Sequence, residues 1–187
     1  MTPSQLPNAI TIARMVMALP LLWLLMNAQY RPALGLAVLA GLSDALDGFL
    51  AKRNGWQSEL GGLLDPIADK LLLNTGFFGL WWSGLLPGWL VAVVLLRDVV
   101  ILVGARAWWR IEGRFRAEPS GLGKATTLAQ LLLVALVLAR PAGFPLFPDW
   151  IPPLALATAA ITVVSGIDYV VRYARRAQAH HPDRDDR

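Results

Sequence analysis

Four aspartates, Asp44, Asp47, Asp65 and Asp69, stand close together in a chain that is otherwise nearly continuous apolar sequence. On a helix, Asp44, Asp47, Gly48 and Ala51 fall at i, i+3, i+4 and i+7, which is one face. Gly61, Asp65 and Asp69 fall at i, i+4 and i+8, one face of a second helix. Two such helices facing each other bring four carboxylates to one point. Unpaired carboxylates in a low-dielectric setting repel, so a cation has to sit among them. Oxygen-only donors point to a hard divalent ion, Mg²⁺ or a close relative. Gly48, Ala51 and Gly61 leave room for a ligand to approach the backbone. The alternative, four separate helix caps or surface charges, accounts for any one aspartate better than for all four at these spacings.

The surroundings decide what kind of fold holds this cluster. Hydrophobic residues make up 56% of the 187, charged residues only 16%, and mean hydropathy is +0.50. A soluble domain of this length cannot hide that much apolar surface, so most of it faces lipid or neighbouring membrane helices. The length suits one domain. There is no cysteine, which excludes thiolate–metal and disulfide chemistry. His180 and His181 sit together in a polar tail, too isolated to build a zinc site. The basic residues flank apolar spans and form no polar module of their own, which argues against nucleic-acid binding.

Six apolar spans can be traced: Asn8 to Met26, Pro32 to Lys52, Gly61 to Trp82, Trp89 to Trp109, Lys124 to Ala139 and Leu154 to Tyr173. Each is near the roughly 20 residues a bilayer requires. The first is interrupted by Arg14 and has no basic region before it, so it reads as a retained span and not a signal peptide. Pro66 is expected in about the first turn of the third span, where a proline is tolerated. Leu85-Leu86-Pro87-Gly88 reads as a tight turn. The expected organisation is an all-α, six-helix membrane bundle over residues 1–174, followed by a charged, disordered tail over 175–187.

Basic residues set the orientation. Lys52 and Arg53 lie in the second connection; Arg106, Arg110, Arg114, Arg116 and Lys124 flank or lie in the fourth; Arg172, Arg175, Arg176, Arg184 and Arg187 lie at the C-terminal end. The other side has only Arg31 and Arg140. The positive-inside rule then puts both termini and the aspartate cluster on the cytoplasmic side.

Other charges at membrane depth are Arg14, Lys70, Arg97, Asp98 and Asp168, either functional or paired with one another inside the bundle. Arg97 and Asp98 are adjacent, point to different helix faces and need not pair. Trp81, Trp82, Trp89, Trp108, Trp109 and Trp150 cluster near span ends, as an interfacial aromatic belt does. Ser120-Gly-Leu-Gly-Lys124-Ala-Thr superficially follows a phosphate loop, but Glu118 occupies the place of its first glycine and no strand precedes it.

The central pattern resembles the signature of the CDP-alcohol phosphatidyltransferases: Asp44, Asp47-Gly48, Ala51, Gly61, Asp65 and Asp69 stand at the family's spacings. Lys52 stands where the family usually has arginine, so the charge is kept and the planar fork is lost. The resemblance implies six spans with cytoplasmic termini and a likeness to homodimeric relatives. It also implies one or two Mg²⁺ or Mn²⁺ ions on Asp44, Asp47, Asp65 and Asp69. The donor implied is CDP-diacylglycerol, packed against Gly48, Ala51 and Gly61 with Asp44, Asp47 and Lys52 close by. Asp69 is implied as the base that takes the proton from an acceptor hydroxyl.

For the acceptor, the motifs Gly41-Leu-Ser-Asp-Ala-Leu-Asp-Gly-Phe49, Leu64-Asp-Pro-Ile-Ala-Asp-Lys70 and Arg97-Asp98-Val99 look more like the cardiolipin synthase branch. Phosphatidylglycerophosphate synthases tend to have Glu after the corresponding arginine. The expected acceptor is therefore phosphatidylglycerol, with glycerol 3-phosphate second. Arg97, Lys124, Thr127 and Gln130 are candidates for the acceptor side. The last three recur at three-residue spacing, and that spacing equally suits a packed helix with one polar side. A small cation channel is the reading from a different class. It predicts carboxylates spread through the membrane depth, whereas these are gathered at one end with glycines between them. The expected location is a membrane, the bacterial inner membrane by this reading, with the site open to the cytoplasm.

Overall fold

Each long apolar run becomes a helix. The computed structural model describes the backbone of residues 6–54, 59–112, 121–145 and 148–179; within these, the side chains of 6–10, 44–54, 59–67, 105, 107–112, 148 and 176–179 are not described. The helices are α1 (Leu6–Met26), α2 (Tyr30–Asn54), α3 (Glu59–Trp82), α4 (Gly88–Glu112), α5 (Gly121–Ala139) and α6 (Ile151–Ala179), with a 3₁₀ turn at Pro148–Trp150 before the last. No strand occurs among the described residues. The all-helical expectation therefore holds.

The packing does not follow chain order. Contacts run from α1 to α2, α2 to α5, α5 to α6, α6 to α4, α4 to α3 and α3 back to α1, with α3 also touching α5 across the ring. The closest association is α1 with α3. It depends on Gly79, where an added Cβ would come within 2.5 Å of Leu25 Cδ1 and 2.9 Å of Leu25 Cβ. Leu25, Phe77 and Leu80 are buried there and join Leu90, Val94, Leu133 and Leu138 in one core. Among the described residues, α2 and α3, consecutive in sequence, are not direct packing neighbours; α1 and α5 contact both.

Three helices stop in the same way at the same end of the bundle. After α1, the Gln29 amide donates to the Leu24 carbonyl at 2.8 Å; after α3, Leu85 donates to Leu80 at 2.8 Å; after α5, Phe144 donates to Ala139 at 3.1 Å. Each closure turns on one left-handed residue, Ala28 (φ 56°), Gly84 (φ 72°) and Gly143 (φ 101°). This satisfies carbonyls that the helix end would otherwise leave open. At the third closure Arg31 donates through Nε to the Ala142 carbonyl at 2.9 Å, so a cation from α2 sits at the negative end of α5.

Several boundaries differ from the sequence expectation. Helix α3 starts at Glu59, so Pro66 lies well inside it and not in its first turn. An interior proline removes one intrahelical bond and crowds the carbonyl four residues back, and the helix continues because tertiary packing of the later turns outweighs that cost. Helix α6 runs on to Ala179, so residues 175–179, expected in a disordered tail, are helical. Just before this stretch, Asp168 accepts from Arg172 Nε at 2.8 Å, one turn on, and the Tyr169 and Tyr173 rings pair with centroids 4.2 Å apart. Residues 180–187, including His180 and His181, lie outside the described residues.

Outward faces are apolar. Leu19, Leu96, Val103 and Leu156 are among the most exposed large hydrophobic residues. Among the described residues, Gly121–Ala139 and Ile151–Arg175 are long and apolar enough to cross a membrane by length and composition; the apolar part of α1, Thr11–Met26, is shorter.

Candidate functional site

Helix α2 carries Asp44, Asp47, Gly48, Ala51 and Lys52, and helix α3 carries Gly61, Asp65 and Asp69. The helical backbone through both stretches puts the α2 set on one helix face and the α3 set on another, as their spacing requires. The side chains of Asp44, Asp47, Lys52 and Asp65 lie outside the described residues, as do the surroundings of Gly48, Ala51 and Gly61. Among the residues that are described, no group of three potential metal ligands occurs.

Asp69 is described, and its environment is informative. It accepts an ion-paired hydrogen bond on Oδ1 from Arg14 Nη1. The Arg14 side chain is 2% exposed and that of Asp69 42%. Arg14 is brought in by the tight α1–α3 contact, one turn along from the buried Thr11. Asp69 is thus held from the protein side by a buried guanidinium while remaining reachable from outside. Arginine suits this position because its rigid fork fixes the direction of a carboxylate.

The next residue faces elsewhere. Lys70 Nζ donates to Asp98 Oδ1 on α4. Asn74, one turn on from Lys70, donates to Asp98 Oδ2 at 3.2 Å. Arg97 also donates to Asp98 Oδ1, at 3.0 Å, and through Nη2 to Ser165 Oγ on α6 at 3.1 Å. The expectation that Arg97 and Asp98 need not pair is corrected by this geometry: the arginine stem is long enough to curl back to its neighbour's carboxylate. Asp98 is buried at 5% exposure and collects donors from two helices. Such a desolvated carboxylate needs its lone pairs filled. Asn74 and Ser165 were not singled out from the sequence. The signal for Asn74 was its place one turn from Lys70; nothing local marks Ser165.

The acceptor-side candidates separate. Lys124 is exposed. Thr127 donates to the Gly123 carbonyl at 3.1 Å on its own helix. Gln130 is buried and donates to Thr162 Oγ1 at 3.1 Å. Thr162 passes the chain on to the Thr158 carbonyl at 2.6 Å. Thr126 Oγ1 lies 2.8 Å from the Leu122 carbonyl and 3.3 Å from the Ile161 carbonyl, where it donates. Gln130 therefore joins α5 to α6, Arg97 joins α4 to α6, and the structure does not bring the four candidates to one point. Asp168, the remaining charge at depth, pairs with Arg172.

Comparison with known proteins bears on this arrangement. The profile of the family described as CDP-alcohol phosphatidyltransferase matches residues 4–166. The chain is similar to a protein of rice named CDP-diacylglycerol–glycerol-3-phosphate 3-phosphatidyltransferase 1, chloroplastic, with 34% identity covering 90% of this chain and 56% of the relative. It is similar to cardiolipin synthase (CMP-forming) of rat, with 31% identity covering 93% of this chain and 63% of the relative. It is also similar to a probable phosphatidylglycerophosphate synthase of Mycobacterium tuberculosis, with 32% identity over 92% of this chain and 83% of the relative. The chain spans less than two thirds of the length of the first two. These three differently named relatives stand at nearly the same identity.

Proposed function

Since the chain belongs to the CDP-alcohol phosphatidyltransferase family, we propose that it is a membrane enzyme that transfers a phosphatidyl group from CDP-diacylglycerol to an alcohol and releases CMP. The observation that carries this reading is the set Asp44, Asp47-Gly48, Ala51, Gly61, Asp65 and Asp69 at the family's spacings, with Lys52 the one departure, on the helical stretches of α2 and α3. Six spans with cytoplasmic termini are part of the proposal. Its support is the apolar outer surface and the exposed Trp23, Trp81, Trp82, Trp89 and Trp150 near the helix ends opposite the aspartates. The lipid donor gives a reason for a site built from membrane helices.

The all-oxygen donor set Asp44, Asp47, Asp65 and Asp69 fits one or two Mg²⁺ or Mn²⁺ ions, and the partial exposure of Asp69 keeps it accessible to such an ion. When bound, the metal supplies charge neutralisation at the donor pyrophosphate. Gly48, Ala51 and Gly61 let the cytidine and ribose lie against the helices, with Lys52 beside the phosphates. Asp69, oriented by Arg14, takes the proton of the acceptor hydroxyl. The acceptor oxygen bonds to the lipid-bearing phosphorus as the bond from that phosphorus to the CMP oxygen breaks, and CMP leaves with the electron pair.

Phosphatidylglycerol is the preferred acceptor, giving cardiolipin, on the strength of Arg97-Asp98 and the Leu64–Lys70 motif. Glycerol 3-phosphate is the second reading, supported by the comparable similarity to the rice relative named for that substrate. We test both with purified, detergent-solubilised protein, CDP-diacylglycerol and Mg²⁺, measuring CMP release with each acceptor separately. Release with phosphatidylglycerol alone is the expected result. Release with glycerol 3-phosphate alone replaces the first reading by the second, and release with neither sends the search to other alcohols. A homodimer belongs to the same proposal and is checked by mass measurement in detergent.

A further inference from the structure

Lys70 directly follows a residue of the aspartate cluster, yet its ammonium is committed to another helix. Asp98 Oδ1 accepts from Lys70 Nζ, and the same carboxylate takes Arg97 at 3.0 Å and Asn74 at 3.2 Å. Arg97 is in turn tied to Ser165 of α6 at 3.1 Å. The anchor is thus fixed by three helices and is 7% exposed at its side chain, while Lys70 is 26% exposed. Lys70 retains enough freedom to go elsewhere if released.

The Arg97–Asp98 pair gives the precedent for where it would go. Arg97 reaches the carboxylate of the very next residue, so a long cationic stem on a helix can pair with an adjacent aspartate. Lys70 stands in the same relation to Asp69, with the order reversed. An ammonium released from Asp98 would settle among the carboxylates that the proposed function assigns to a divalent cation, and would compete with that cation for them.

We propose that Asp98 is a positioning residue that sequesters the Lys70 ammonium on α4, and so keeps the carboxylates of α3 open to their metal. This rests on the metal reading of the aspartate cluster. The relationship is electrostatic and local: one misplaced positive charge near a binding site weakens cation binding, whereas loss of a packing contact lowers stability without that selectivity.

The test is Mn²⁺ binding to the full-length protein in detergent, followed by the electron paramagnetic resonance signal of the free ion, with thermal unfolding recorded in parallel. Asp98→Asn keeps the shape and frees Lys70; Mn²⁺ affinity is expected to fall by roughly tenfold, the size of one partly screened charge contact. Asp98→Asn combined with Lys70→Met removes the freed ammonium, and affinity is expected to return to within about twofold of the parent although the network is gone. Asp98→Glu, which retains the anchor charge, is expected to bind Mn²⁺ like the parent. An Asp98→Asn variant with parental affinity overturns the proposal. A double variant that stays as weak as Asp98→Asn also overturns it and makes Asp98 a purely structural residue. A parent protein that binds no Mn²⁺ overturns the metal reading itself, which separates the two failures.

Discussion

Arg14 and Asp69, separated by 55 positions, form an ion pair between α1 and α3 in which the arginine is buried and the aspartate is open to the outside. One partner belongs to the protein interior and the other to the site. The pair converts the packing of α1 on α3 into a defined direction for the carboxylate proposed as the base.

Arg14→Met is therefore expected to reduce turnover by at least roughly tenfold, because a general base must stay within hydrogen-bond reach of the acceptor proton. Arg14→Lys keeps the charge but not the fork and is expected to fall between the two. Steady-state CMP release at saturating CDP-diacylglycerol checks this. Parental turnover in Arg14→Met would free Asp69 from any dependence on Arg14.

Asp69→Asn is expected to lower transfer by roughly 10²–10⁴-fold, the range for losing a general base, with donor binding partly retained. Near-normal turnover would remove Asp69 from that role. Asp44→Ala and Asp65→Ala probe the metal instead. Each is expected to abolish Mg²⁺-dependent release, and an unchanged Mg²⁺ requirement in either would overturn the assignment of these ligands.

Gly79→Ala tests the α1–α3 contact without touching the site. The new methyl would lie 2.5 Å from Leu25 Cδ1 and 2.9 Å from Leu25 Cβ. The helices have to separate, at a cost of about 1–3 kcal/mol. The expected outcome is a lower melting temperature together with lower turnover, since Arg14 moves with α1. A variant that loses stability but keeps full turnover would show that the Arg14–Asp69 geometry tolerates such a shift.

Ala28→Gly is expected to stabilise the protein. Ala28 holds φ 56°, a conformation that costs an alanine about 1 kcal/mol and a glycine nothing. The two equivalent turns already use glycine. Thermal unfolding in one detergent, parent against variant, should show an increase in melting temperature; a decrease would mean that the Ala28 methyl makes a contact worth more than the strain.

The sequence is legible where a pattern is local. Helix placement follows from apolar runs, and the shared faces of Asp44 with Asp47 and of Asp65 with Asp69 follow from spacing alone. What escapes is whatever depends on which helices meet. Arg14 and Asp69 were each notable, but their pairing required α1 to lie beside α3. Asp98 was seen as a charge at depth, while its three donors come from α3 and from its own neighbour Arg97. Gln130 shows the opposite case. Its three-residue spacing with Lys124 and Thr127 fitted either a ligand-facing stripe or a packed seam, and only the position of α6 put Thr162 within reach of it. Pro66 was placed at a helix start by a rule that holds for isolated helices and yields to tertiary packing.

Among the described residues α4 and α5 share no contact, although they follow one another in the chain; each is held instead by α6. The holding groups are polar: Arg97 to Ser165, Tyr169 Oη donating to the Ile101 carbonyl at 3.0 Å, and Gln130 to Thr162. Polar and van der Waals contacts are what can join helices when lipid is as apolar as their side chains. The sixth helix thus ties together two neighbours that do not touch each other. Without it, α4 and α5 would share only α3 as a common neighbour, and the polar ties that fix their register to one another would be missing.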